Sequence, residues 1–151
     1  MHLGAMSKHA EAVTLRLARP EEHGALEELQ RRASLELDDY REQLLANPDA
    51  IHLPPSQIAN GQVIVAELYG VIAGFAALVG GELDGLFVEP DLWGGGIGRA
   101  LIDAASHEAR RKGLTLTVIA NPTALGFYQS CGLSVEGEVQ TRFGLGLRMS
   151  K

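Results

Sequence analysis

Cysteine is nearly absent from this chain: Cys131 stands alone among 151 residues. A single thiol excludes an intramolecular disulfide and a thiolate zinc cluster. His23, His52 and His107 fall at no metal-ligand spacing, so no metal is expected. No window reaches the roughly 18–20 apolar residues of a membrane-spanning helix, so no membrane partner is expected. The stretch from Met1 to Ala12 lacks the charged start and apolar core of a signal peptide. Basic residues are also short, 13 against 19 acidic, for a net charge of −6. Binding nucleic acid through its phosphates needs a net basic face, so a nucleic-acid partner is not expected either. A cytoplasmic protein is the expectation that remains. Residues 1–11, with a second Met at position 6, read as a flexible N-terminus or a cloning remnant and are set apart from the fold.

What is present suits one domain over residues 12–151. Val13 to Leu17 alternates apolar and polar residues, the mark of a half-buried strand. Pro20-Glu21-Glu22 opens a helix, with acids near its positive end and an apolar stripe of Leu26, Leu29 and Ala33. A second helical stretch runs from about Asp38 to Ala46, and Ala50 to Asn60, with Pro54-Pro55, reads as a loop. Val63–Glu67 and Val71–Leu78 form a hairpin about Tyr69-Gly70, and Leu83–Val88 is a third strand stopped by Pro90. Ile97, Leu101, Ala104, Ala105 and Ala109 recur at helical spacing. Arg110, Arg111 and Lys112 close that helix, with Gly113 at its end. Leu114–Ala120 reads as a buried strand and Thr123–Ser130 as a short helix. Val135 to Met149 carries one or two strands interrupted by Gly144 and Gly146. The order β-α-α-β-β-β-α-β-α-β, with early hairpins and a late strand-helix-strand unit, predicts an α/β domain with a mixed sheet.

Trp93-Gly94-Gly95-Gly96-Ile97-Gly98-Arg99 follows a strand and opens a helix. Clustered glycines let the backbone approach a ligand, and the helix start offers unpaired N–H groups to an anion. Counting excludes two phosphate motifs. G-x-G-x-x-G fails because its last position is Arg99 or Leu101, and the P-loop fails because Arg99 stands where its second glycine belongs. What matches is Gly96-x-Gly98 of the pattern [RQ]-x-x-G-x-[GA], with Trp93 departing at the first position. Upstream, Leu86-Phe87-Val88-x-Pro90 resembles a strand end of the form L-x-V-x-P. Downstream lies Asn121-Pro122-x-Ala124-x-x-Phe127-Tyr128-x-x-Cys131-Gly132-Leu133. Together these resemble the GNAT superfamily of acyl-CoA-dependent N-acetyltransferases, strongly over about 82–133 and more loosely outside it.

The resemblance implies a mostly antiparallel central sheet flanked by helices, no metal, and acetyl-CoA as cosubstrate. It implies an N-acetyltransferase that moves an acetyl group directly to a primary amine of a small molecule or protein. A competing reading is a non-catalytic acyl-CoA sensor on the same fold. The cofactor-binding residues it implies are Leu86, Phe87 and Val88 on the strand, with the amides of Leu86 and Val88 along the pantetheine arm. Gly94, Gly95, Gly96, Ile97, Gly98 and Arg99 cradle the pyrophosphate, and Asn121 and Phe127 follow. Tyr128 resembles the tyrosine that donates a proton to the departing sulfur. Glu82, eleven residues before Trp93, matches a general-base glutamate. Asp84 shares its strand face at period two, with Leu86 continuing that face. Asn121 can also cap the next helix, Cys131 reads as a small buried residue, and Arg142 and Arg148 are candidates to grip an acidic substrate group. Apolar hairpins permit a homodimer without selecting one.

Overall fold

A computed structural model describes residues 12–151. The expectation for residues 1–11 lies outside the described residues. Seven strands form one sheet in the order β1-β2-β3-β4-β5-β7-β6. They are β1 (Val13–Leu17), β2 (Val63–Leu68), β3 (Val71–Val79), β4 (Glu82–Val88), β5 (Thr117–Ala120), β6 (Ser134–Thr141) and β7 (Gly144–Ser150). Every neighbouring pair is antiparallel except β4 and β5. The mixed, mostly antiparallel α/β sheet expected from the sequence is therefore present, and the C-terminal tail is a hairpin of two strands.

Helices cover both faces. On one face, α1 (His23–Glu36) and α3 (Pro55–Ala59) pack Leu26, Leu29 and Ile58 against Val63, Val65, Phe75 and Ala77. On the other, α4 (Ile97–Arg111) and α5 (Leu125–Ser130) bury Ile97, Leu101, Ile102, Ala105 and Tyr128 against Ala66, Ala76, Leu83, Val118 and Met149. The apolar spacing of α4 continues through Ile102 and Ala109, both fully buried. A short α2 (Arg41–Ala46) sits between α1 and α3. Arg16 on β1 fastens the entry to α1, donating to Glu22 at 2.6 and 2.9 Å and to Glu67 on β2 at 3.0 Å.

Several boundaries differ from the sequence reading. The segment read as a loop contains α3: Pro54 is extended, Pro55 takes the first helical position, and Ile58 is buried. A proline pair therefore begins a helix here, because the second ring suits the first turn. Strand β5 starts at Thr117 and not Leu114. The helix expected from Thr123 divides into a 3₁₀ turn (Pro122–Ala124) and α5.

The feature that positions the site is the parting of β4 from β5. Their parallel pairing extends only over Glu82↔Thr117 and Leu83↔Val118. Close approach below that point depends on Gly81, where a Cβ would lie 2.4 Å from the Thr115 carbonyl oxygen. Above it, Gly85 pairs with Ala77 and Leu83 with Leu78, so Asp84 is an extra residue in β4. Such a bulge bends and twists its strand, and here it carries the upper half of β4 away from β5.

Candidate active site

The bulge also settles which groups face the gap. Glu89 N–H donates to the Ala73 carbonyl at 2.9 Å, and Phe87 lies opposite Phe75. Bonding to one neighbour alternates along an antiparallel strand. Phe87 and Glu89 therefore bond to β3, while the N–H and C=O of Leu86 and Val88 point to the side that β5 has left. The Leu86 and Val88 side chains join the α4 side of the core, and Phe87 packs on the opposite face, 5.3 Å from the Phe75 ring.

One sequence expectation is corrected by the same bulge. Leu86 does not continue the face of Glu82 and Asp84. Leu83 and Leu86 pack with the α4 cluster, whereas Asp84 accepts a 2.9 Å hydrogen bond from Gln57 Nε2 on α3, across the sheet. The extra residue shifts the period-two alternation by one. Gln57 is itself buried, and its Oε1 has no partner among the described residues. Glu82 is exposed and stands at the closed end of the gap, in register with Thr117. Asp84 is the first residue beyond the last β4–β5 pair.

Beyond β4, Pro90–Leu92 makes one 3₁₀ turn and the glycines lead into α4. Gly94 (φ +83°) and Gly96 (φ +93°) hold left-handed conformations that an L side chain rarely adopts. The Ala100 N–H is the first to bond back, to the Gly96 carbonyl at 3.0 Å, so Ile97, Gly98 and Arg99 begin the helix with free N–H groups. Gly95 departs from the expected set of donors: its N–H closes a turn onto the Leu92 carbonyl at 3.3 Å. Gly98 lets α4 meet α5, because a Cβ there would lie 3.1 Å from Phe127 Cζ. Trp93 is turned back toward β4, and its indole Nε1 donates to the Val88 carbonyl at 2.8 Å.

Tyr128 is buried on α5, edge-on to Phe127 with ring centroids 5.2 Å apart. Burial pushes its phenol up to about 12, and the neighbouring Cys131 acts in the same direction. The hydroxyl therefore stays protonated near neutrality and can only donate or accept through the neutral form. Cys131 is buried, and burial raises its thiol as well, which suits a packing residue and not a nucleophile.

The far side of the gap is closed by contacts between distant segments. Asn121 caps the turn after β5, its Oδ1 accepting from Thr123 N–H at 3.1 Å, while its Nδ2 reaches Asp39 at 3.4 Å. The Thr123 hydroxyl donates to the same Asp39 carboxylate at 2.8 Å. Arg142, at the β6–β7 turn, pairs with Asp49 at 3.1 Å, donates to Asn47 at 3.2 Å, and lies over the Phe143 ring. Phe143 in turn faces Tyr40, with centroids 6.1 Å apart. Arg142 is therefore committed within the chain. Beneath this clasp lies a pocket of about 220 Å³ lined by Tyr40, Ile119, Ala120, Asn121, Thr141, Leu145 and Gly146. Beside it, Asp38, Asp39, Arg41 and Glu42 of the α1–α2 segment line a larger hollow of about 640 Å³. Arg41 pairs with Asp38 at 2.7 Å, and the lining keeps an excess of carboxylates. No cluster of metal-ligating side chains occurs among the described residues, and no helix among them is long and apolar enough to cross a membrane.

Sheet, parting and glycine-started helix together define an acetyltransferase fold, and sequence comparison agrees. The family model described as "Acetyltransferase (GNAT) domain" matches residues 59–133, and the chain belongs to the GNAT superfamily. Among curated proteins it is similar to the peptidyl-lysine N-acetyltransferase YjaB of Salmonella typhimurium, 43% identical over 65 residues. That match spans 42% of this chain and 43% of the relative, less than half of its length. Among solved structures, a GCN5-related N-acetyltransferase from Rhodopseudomonas palustris superimposes with a TM-score of 0.74 at 26% identity, covering 91% of this chain and 94% of that one. The PaiA N-acetyltransferase of Thermoplasma acidophilum, solved in complex with coenzyme A, reaches 0.72 at 19% identity over 92% and 98% of the two chains. At that identity it supports the fold alone.

Proposed function

We propose that this protein transfers an acetyl group from acetyl-CoA to a primary amine. The observation that carries the reading is the edge of β4 at Leu86 and Val88, which has no strand beside it and runs toward a helix start whose N–H groups have no backbone acceptor. An exposed strand edge binds amide-bearing ligands through its backbone, and pantetheine carries two amides. The N–H groups of Gly94, Gly96, Ile97, Gly98 and Arg99 form a nest suited to a pyrophosphate. Phe127 borders the same entrance, and Phe87 contributes by fixing the strand from its other face.

In this reading Tyr128 hands its proton to the departing thiolate. Burial makes the phenol a weak acid that keeps its proton near neutrality until a basic thiolate forms beside it. Glu82 and Asp84 share the face of the sheet covered by α1 and α3, and supply the carboxylates that deprotonate and steer the incoming ammonium. Asn121 belongs to the wall of the acceptor pocket. The pocket under the clasp admits an aliphatic stem, and the acidic segment beside it favours a cationic group. A lysine side chain has both features, as YjaB's name as a peptidyl-lysine N-acetyltransferase would suggest. A cytoplasmic setting, where CoA thioesters are held, goes with this activity.

The test pairs calorimetric titration of acetyl-CoA, with NADH as control, and thiol release measured on lysine peptides and small amines. Selective binding with amine-dependent thiol release, reduced about tenfold or more in Tyr128→Phe at unchanged CoA affinity, is the expected result. Folded protein that binds no acetyl-CoA would end the proposal.

A further inference from the structure

The Trp93 side chain stands where the family pattern places an arginine or glutamine, and an indole can donate only one hydrogen bond. That bond is spent at 2.8 Å on the Val88 carbonyl. Val88 C=O is one of the few backbone groups of β4 that face the open gap, because Glu89 bonds to Ala73 and the alternation turns Val88 outward. Trp93 thus occupies an acceptor that a strand-like ligand lying along β4 needs for its own amide. The residue is 44% exposed, so part of the ring already faces solvent, the direction in which it would leave the strand. It is followed by Gly94 and Gly96, whose left-handed backbone conformations only glycine adopts readily.

We propose that Trp93 is an affinity-setting latch: its indole caps the Val88 carbonyl in the free protein and is displaced when a pantetheine amide takes its place. The inference rests on the acetyl-CoA reading above and adds a specific competition to it. Ligands with the pantetheine arm pay for breaking the indole bond, whereas ligands that fill only the phosphate cradle do not. Loss of the indole therefore tightens the first kind and leaves the second unchanged.

Trp93 is the only tryptophan in the chain, so its emission reports the latch directly. The experiment titrates the protein with CoA and with the phosphoadenosine diphosphate fragment of CoA, which lacks the pantetheine arm. Saturating CoA should shift the emission to the red as the indole enters water, and the fragment should not. By calorimetry, Trp93→Phe should bind CoA about fivefold more tightly, about 1 kcal/mol at 1.4 kcal/mol per tenfold, with fragment affinity unchanged. Unchanged or weaker CoA binding by Trp93→Phe overturns the latch, as does an equal gain for the fragment. An equal spectral shift with both ligands overturns it too, on the wild-type protein alone. A wild type that binds the fragment but not CoA leaves the phosphate cradle standing and sinks both the pantetheine edge and the latch. A wild type that binds neither ligand sinks the acetyl-CoA reading itself.

Discussion

Gly96 offers the sharpest separation of backbone strain from ligand chemistry. It caps α4 at φ +93° and ψ −1°, where a residue with a Cβ costs roughly 1–2 kcal/mol. For a domain of this size that cost lowers the melting temperature by about 3–6 °C. Gly96→Ala and Gly96→Glu share this strain and differ in charge and reach. A carboxylate about 5 Å from a pyrophosphate carrying two charges, at an effective dielectric near 40, opposes binding by about 3 kcal/mol. That corresponds to a loss of roughly two orders of magnitude in affinity. Calorimetric titration of CoA into both variants, alongside thermal melts, reads the two effects separately. The melts should nearly coincide while the affinities diverge, and the divergence should shrink at high salt. Gly96→Glu binding CoA within about threefold of Gly96→Ala would refute the placement of the phosphate at this helix start.

Two further outcomes follow from the geometry around the sheet. Arg16 holds the Glu22 carboxyl below its ordinary value of 4.5, so Glu22 contributes stability above that pH that is lost as the pH falls through its lowered value. Arg16→Met removes the cause; its stability deficit relative to wild type should be widest near neutral pH and narrow below about pH 4, as followed by urea unfolding across pH. Arg142→Ala opens the clasp to Asp49 and Asn47. Exposed ion pairs contribute about 0–1 kcal/mol, so melting should change little, whereas KM for the amine should rise several-fold at constant CoA affinity in initial-rate assays.

The parts of this site legible in the sequence are those made by the local chain. Gly94, Gly96 and Gly98 announce themselves because positive φ, close approach and a free helix start are properties of a few consecutive residues. Tyr128 could be picked out because the segment from Asn121 to Leu133 resembles the family's as one short contiguous stretch. What the sequence hid depends on distant partners. The bulge at Asp84 exists only against Ala77 and Leu78, yet it decides which face Leu86 joins and where β4 leaves β5. The Trp93 indole reads as a lost family side chain until Val88 C=O is seen beside it. Arg142 reads as a candidate to grip an acidic substrate group until Asp49, 93 positions away, is found to hold it, and nothing local tells that Asn121, besides capping its turn, reaches Asp39, 82 positions away. The cradle is thus written by short-range backbone chemistry, while the acceptor pocket is assembled by long-range side-chain contacts. Divergence can rewrite the second without disturbing the first. One superfamily can therefore keep its phosphate cradle while its acceptors change, and variants of the Arg142–Asp49 clasp are a more direct probe of substrate choice than further variants of the glycine loop.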